Sequence, residues 1–238
     1  MICNGNIFTP NSLNIFTDAS IKKLYSGETI GCAGCLLVFG ELKYNKMIDE
    51  YQVIRNTTNN NSEIKAVRLG IQQAIKYNNI YHFDKIRLFS DSQISIFGIR
   101  DRIFNWRYIN GLYNGTDNKP IKNQDIFLEI IYDILYNNIH IEFYHQKGHV
   151  SCSNNNSILE AMHVFNVSNN IRDNVDIGFI KQISRFNDIV DTYSRNYMKK
   201  IKFLQDQYRE PIYFKSNLFD KEKYLELIKM NREENYYE

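Results

Sequence analysis

Three stretches rich in β-branched and aromatic residues, LNIFTD (13–18), GCAGCLLVFG (31–40) and KMIDEYQVI (46–54), follow one another across short polar or glycine-containing links. Strands joined so briefly pair with their immediate neighbours in antiparallel fashion, so they predict a meander. The apolar period then changes. In EIKAVRLGIQQAIKY (63–77), Ile64, Val67, Ile71, Ala74 and Ile75 recur at helical spacing and give one apolar face. KIRLFSD (85–91) reads as a short strand, SQISIFGIRDRIFNW (92–106) and IFLEIIYDILY (126–136) as helices, and HIEFYH (140–145) as a closing strand. Parallel strands need a crossover long enough to hold a helix. A meander followed by strand–helix alternation therefore predicts an α/β layer fold, with a mixed five-stranded sheet, later strands parallel to the first and helices on both faces.

A chain of 238 residues, 43% hydrophobic, can bury one sizeable core with extensions, whereas two full domains would be cramped. The 29 basic and 27 acidic residues nearly balance, which permits a polyanionic partner without requiring one. The opening MICNGNIFTPNS has no basic segment leading into an apolar one, and no run approaches the ~18 apolar residues of a membrane span. A soluble intracellular protein, cytoplasmic or nuclear and with no membrane partner, is expected. Of Cys3, Cys32, Cys35 and Cys152, only the CAGC pair has suggestive spacing. On a strand that offset points two side chains to opposite faces, and no second pair completes a zinc site, so buried free thiols are expected.

The polar run TTNNNSE (57–63) ends on a carboxylate at the start of the first helix. Asn, Ser and Thr suit N-caps, and an acid in the first turn suits the helix dipole, so this stretch could be only a helix start. Asp18 and Asp91 fall at the carboxyl ends of the first and fourth strands, the region where ligand sites collect in such sheets. If those strands are neighbours, the two carboxylates lie side by side. Close carboxylates repel unless protonated or bridged by a cation, and an all-oxygen donor set suits Mg²⁺ or Mn²⁺. Asp91 read alone could equally cap the helix that follows it, and His149 could be an ordinary surface residue.

Taken together, these segments resemble the type 1 ribonucleases H. TDAS (17–20) is similar to the family's first-strand motif, with Ala19 where a glycine is usual; TTNNNSE resembles its Thr-Asn-Asn segment and glutamate, and SDSQ (90–93) its third motif. FNW (104–106) and KPIKNQDIF (119–127) resemble the segment bearing the substrate-binding protrusion, QKGH (146–149) the histidine loop, and NDIVD (187–191) the closing helix. The resemblance implies a two-metal endonuclease acting on the RNA strand of RNA/DNA hybrids, with Asp18, Glu63, Asp91 and Asp191 as ligands of two Mg²⁺ ions, Mn²⁺ being a possible substitute. His149 would serve proton transfer or product release. Asn59, Asn60 and Gln93 would read the minor groove, Thr58 and Asn123 would grip a phosphate of the DNA strand, and Trp106 would stack on a deoxyribose. Asp188, one turn from Asp191, competes with it for the last ligand position, and the spacing from Asn187 favours Asp191.

The chain also departs from that pattern. Asn56 stands where an arginine is usual, and RYINGLYNGTDNKP (107–120) carries only Arg107 and Lys119 as cations, so weak and salt-sensitive binding is expected. A catalytic domain over 1–200 is expected, with an insertion at about 151–185 holding a polar loop and a short helix, then a helical extension and tail over 201–238 in which Tyr224, Leu227 and Ile228 pack on the body. The insertion leaves and re-enters near His149 and Asp191, so it is expected to fold over the rim of the site and contact substrate, the alternative being a shield for the sheet edge. The chain is expected to act as a monomer. A DNA nuclease of related fold (resolvase- or integrase-like) and an inactive hybrid-binding module are the competing readings.

Overall fold

The computed structural model describes residues 11–40, 47–172 and 175–208. The meander is β1 (Ser12–Lys23), β2 (Thr29–Phe39) and β3 (Met47–Arg55), each antiparallel to the next. Helix α1 (Asn59–Tyr81) crosses over to β4 (Lys85–Ser90), which lies parallel to β1. Helix α2 (Gln93–Phe97) follows, then a small hairpin of β5 (Arg107–Ile109) and β6 (Leu112–Asn114), then α3 (Gln124–Tyr136). Strand β7 (Glu142–His145) pairs parallel with β4, and α4 (Asn155–Ser168) and α5 (Ile177–Tyr208) complete the described chain. The main sheet has the order β3-β2-β1-β4-β7, the mixed five-stranded sheet expected from the sequence.

Strand alternation sends neighbouring residues of β1 to two separate cores. Leu13 and Ile15 pack with Leu37, Ile64, Ile71 and Phe127 beneath α1 and α3. Phe16 faces the other way and packs with Leu36, Phe89 and Val190, and with Phe165 and Phe179 from α4 and α5. An aromatic chain crosses this second face: Phe16 stacks on Phe89 at 5.0 Å, Phe89 on Tyr144 at 5.3 Å, and Tyr144 on Phe165 at 5.8 Å. Cys32 and Cys35 are buried free thiols in different clusters on opposite faces, and Cys152 is exposed. Among the described residues no helix is long and apolar enough to cross a membrane.

The structure corrects several boundaries. Strand β1 continues to Lys23, so Asp18 lies within the strand and beyond the end of β4, rather than at the carboxyl end of β1. Helix α1 starts at Asn59 with Thr58 as N-cap, which puts Glu63 beyond the first turn and removes the dipole account of that residue. The helical path over 93–105 changes at Gly98 into a π-turn (Gly98–Arg102) and then a 3₁₀ turn (Ile103–Asn105). The ring of Phe127 occupies the space that a Cβ at Gly98 would fill, so tertiary packing against α3 outweighs a regular α-helical continuation there. The protrusion is the β5–β6 hairpin, turning on Asn110 (φ 51°) and Gly111 (φ 82°), the left-handed pair that a tight hairpin requires.

The segment after His149 holds the polar loop and the helix expected of it, and differs in where it ends. Helix α4 buries Ile158, Ala161 and Phe165 on the sheet face covered by α5, with Phe165 against Tyr144 of β7. It packs beside the β7 edge of the sheet, and its Glu160 pairs with Lys147 of the loop 146–149. Residues 177–185 are the first turns of α5 and not part of a separate insertion. Residues 201–208 continue α5, and the expected packing of Tyr224, Leu227 and Ile228 lies outside the described residues.

Close approach of α1 to β1 depends on Gly70, where an added Cβ would lie 2.9 Å from the Thr17 methyl group and 3.0 Å from that of Ile15. Both neighbours are β-branched residues on the central strand and cannot swing away cheaply. Gly70→Val should therefore destabilise the protein by about 1–3 kcal/mol through overpacking, despite removing a helical glycine. A lower urea midpoint with unchanged slope is the expected result; an unchanged midpoint would contradict the packing account.

Candidate active site

The strand register assembles the site. Thr17 pairs with Ser90, so the next residues, Asp18 and Asp91, lie side by side where β4 ends. Ser90 also pairs with His145 at the end of β7, and the Gln146 amide donates to the Ser90 carbonyl at 3.0 Å, which carries the loop 146–149 past Asp91. Gly148 presses against the Asp91 carboxylate, and any Cβ at that position would overlap it. Glu63 comes from the second turn of α1 and Asp191 from α5.

Each carboxylate has its own partner. Ser92 Oγ donates to Glu63 Oε2 at 2.6 Å, and the same hydroxyl accepts from the Ser95 amide as N-cap of α2; the capping role considered for Asp91 belongs to Ser92. Asn187 Nδ2 donates to Asp91 Oδ2 at 3.4 Å, while its Oδ1 accepts from Gln146 Nε2 at 2.7 Å, so a buried amide pair ties α5 to the β7 loop. Ser194 Oγ lies 3.0 Å from the Asp191 carbonyl and 3.4 Å from Asp18 Oδ2, and its one hydrogen is shared between these acceptors. Arg195 Nη2 meets Asp191 Oδ2 at 2.5 Å, one helical turn away.

Electrostatically the four act as one group. Burial, then the charges of Asp91 and Asp191, and least that of Glu63, push the Asp18 carboxyl up to about 8, against a backbone hydrogen bond that lowers it. Burial also raises Glu63 and Asp91; the Ser92 hydrogen bond opposes this at Glu63, and Asn187 and His149 oppose it at Asp91. Among the described residues no three His, Cys, Asp or Glu side chains close on one point as a ready-made cage. Mutual repulsion spreads like charges of this kind, and at Asp18 it adds to burial, which is the larger cause of the raised carboxyl. The donor set fits a hard divalent cation: it is all oxygen, it is held by neighbouring hydrogen bonds, and a cation would relieve its repulsion.

His149 has a left-handed backbone (φ 52°) and an 80% exposed side chain, with Nδ1 3.8 Å from Asp191 Oδ2. Asp188 is raised by burial and by the Asp191 charge, and its own charge adds to burial in raising the Cys152 thiol; of the two aspartates only Asp191 acts on both Asp18 and Asp91. Thr58, Asn59 and Asn60 are exposed at the start of α1, and Gln93 is exposed at the start of α2. Asn61 Nδ2 donates to Asn123 Oδ1 at 3.0 Å, and the Asn61 amide donates to Thr58 Oγ1 at 3.3 Å, which brings Thr58 and Asn123 together. Trp106 is half-buried, its ring edge-on to Phe127 at 5.4 Å. Asn61, Ser92, Gln146, Ser194 and Arg195 were not singled out from the sequence. Ser194 and Arg195, three and four residues after Asp191, could have been found from helical spacing alone.

The RNase H family model matches residues 10–161. Ribonuclease H of Ruthia magnifica subsp. Calyptogena magnifica is 31% identical over 152 residues, covering 64% of this chain and 92% of that protein. Ribonuclease H of Clostridium botulinum is 31% identical over 158 residues, covering 64% of this chain and 97% of its own. Among solved structures, the solution structure of the PFV RNase H domain aligns with TM-score 0.46 at 17% identity, covering 73% of this chain and 94% of that one. RNase H1 from the halophilic archaeon Halobacterium salinarum aligns with TM-score 0.39 at 16% identity, covering 57% and 86%. The family match ends before α5, so Asp191 joins the site from outside the matched segment. The chain belongs to the ribonuclease H family.

Proposed function

We propose that this chain is a divalent-metal-dependent endonuclease that hydrolyses the RNA strand of RNA/DNA hybrids. The observation that carries the reading is the electrostatic grouping of Asp18, Glu63, Asp91 and Asp191, with Asp191 delivered by a helix that begins 28 positions after His149. These four residues would hold two Mg²⁺ ions, with Mn²⁺ a possible substitute. Such ions supply an activated water and stabilisation of the charge that develops on the leaving oxygen. The chain's own part is to hold the carboxylates through Ser92, Asn187, Ser194 and Arg195, and to keep an exposed imidazole at the rim. His149 Nδ1, near Asp191, can take or give a proton there.

Recognition is assigned to the neighbouring amides. Asn59, Asn60 and Gln93 can each donate and accept in a wide, shallow minor groove that displays 2′-hydroxyls, with little dependence on sequence. The Thr58–Asn61–Asn123 pocket would receive a phosphate of the DNA strand, and Trp106, braced by Phe127, would meet a deoxyribose. The hairpin carries few cations, so affinity should be salt-sensitive and modest. Incubation with Mg²⁺ and labelled RNA/DNA, DNA/DNA and RNA/RNA duplexes tests the reading: cleavage restricted to the RNA strand of the hybrid is expected. Cleavage of DNA/DNA would favour a DNA nuclease of related fold, and binding without cleavage an inactive hybrid-binding module.

Three substitutions probe the assigned roles. Asp191→Asn should abolish hybrid cleavage while Asp188→Asn keeps turnover within about threefold of wild type, because only Asp191 acts on Asp18; the reverse pattern would exchange the two roles. His149→Ala should slow turnover by about 10²-fold without eliminating it, the lower range of general acid–base effects. Complete loss, or no loss, would remove the proton-transfer role.

A fourth substitution concerns the stability of the metal-free protein. Asp18 has a folded-state carboxyl at about 8 against an unfolded value near 3.8. Between those values the folded state holds a proton that the unfolded state has released, so this group lowers stability as pH rises from about 4 to about 8. Asp18→Asn should therefore raise the metal-free melting temperature at pH 8 by a few degrees and have little effect near pH 4. Equal shifts at both pH values would contradict the raised Asp18 carboxyl.

A further inference from the structure

The end of β7 carries a network that the proposed chemistry does not use. Asn169, just after α4, bonds both main-chain groups of His145: its Oδ1 accepts from the His145 amide at 2.9 Å and its Nδ2 donates to the His145 carbonyl at 2.8 Å. A side-chain amide thus does for this edge strand what a neighbouring strand would do. Asn169 Oδ1 also accepts from Arg100 Nη1 at 2.9 Å, and Arg100 donates to the carbonyls of Ser168 at 2.8 Å and Phe143 at 3.3 Å. The π-turn, β7 and the end of α4 are joined at one point.

The buried His145 ring carries this joint to the active site. Its Nε2 lies 3.2 Å from the main-chain carbonyl of Asp91, and its Nδ1 lies 3.0 Å from Ser168 Oγ. A carbonyl only accepts, so Nε2 bears the hydrogen; Nδ1 of the neutral ring is then the acceptor and the Ser168 hydroxyl the donor. Capping of a sheet edge would account for Asn169 alone. It gives no reason for a buried imidazole reaching from the α4 terminus to the backbone of a carboxylate whose side chain faces Asp18.

We propose that His145 is a positioning residue, fixed by Ser168 and Asn169 at the end of α4, which holds the main chain of Asp91 in the orientation the carboxylate cluster needs. On this account the segment between His149 and α5 has a mechanical role in the active site. The inference rests on the nuclease reading for its kinetic consequence, but its structural consequence can be measured without any activity.

The test compares His145→Leu, which keeps an apolar side chain of similar bulk but loses both ring bonds, with His145→Gln, whose amide can still donate to the Asp91 carbonyl. Ser168→Ala is a milder variant should His145→Leu not fold, and Ile158→Ala removes α4 packing remote from the joint. In metal-free protein, amide hydrogen exchange over residues 89–95 should rise in His145→Leu and Ser168→Ala, and should stay at the wild-type level in His145→Gln and Ile158→Ala. With hybrid and Mg²⁺ well below the melting temperatures, His145→Leu should lose about tenfold in kcat with KM within twofold, the scale expected for partners that orient ligands. His145→Gln should recover most of that loss. Unchanged exchange over 89–95 in the folded His145→Leu or Ser168→Ala variant overturns the proposal, as does an Ile158→Ala effect equal to that of Ser168→Ala. If wild type does not cleave hybrid, the nuclease reading fails, while the exchange comparison still decides the positioning role.

Discussion

Everything around the site answers one constraint: four carboxylates that repel one another are gathered where burial makes their charge costly. Water would weaken that repulsion and a polar gap would spread it, but Asp18 and Asp91 are fixed side by side by the pairing of β1 with β4 and cannot separate without breaking the sheet. The fold therefore supplies the stiffness. Two cores on opposite faces clamp the central strand, with Ile15 and Phe16 facing opposite ways next to the critical residue. The neutral neighbours Ser92, Asn187 and Ser194 hold the carboxylates' orientation without cancelling their charge, and Arg195 offsets part of the charge of Asp191. On the proposed reading, a divalent cation bound there would relieve the repulsion and so stabilise the folded chain.

The long interval between His149 and Asp191 would be expected to loosen the geometry, yet it is built into the sheet's second face. Phe165 continues the aromatic stack that begins at Phe16, and Asn169 closes the exposed edge of β7. Helix α5 then returns across β1 and β2, bringing Asn187, Asp191 and Ser194 to Asp91 and Asp18.

Much of this was legible in the sequence because the relevant signals are local or periodic. The meander and the α1 face from Ile64 to Ile75 follow from strand spacing and helical period, whereas the adjacency of Asp18 and Asp91 follows only once β1 and β4 are neighbours, as they are. Asn187 four residues before Asp191 marked the closing helix across 42 positions. What could not be read depends on partners distant in the chain. Gly98 ends a regular helix because the Phe127 ring sits against it, Thr58 meets Asn123 only through Asn61, and Asn169 closes β7 only because α4 packs where it does. The end of β1 was placed too early because the polar residues Asp18 and Ser20 look like a turn, although β2 continues to pair beyond them to Lys23.

The central claim, that Asp191 completes one metal-holding cluster with Asp18, Glu63 and Asp91, is tested most directly by anomalous diffraction from crystals of this protein equilibrated with Mn²⁺. The account predicts anomalous peaks within bonding distance of carboxylate oxygens from all four residues, about 2.0–2.6 Å for a hard divalent cation. Peaks held by Asp18 and Asp91 while Asp191 remains engaged only with Arg195 and His149, or Mn²⁺ bound only elsewhere on the protein, would contradict it.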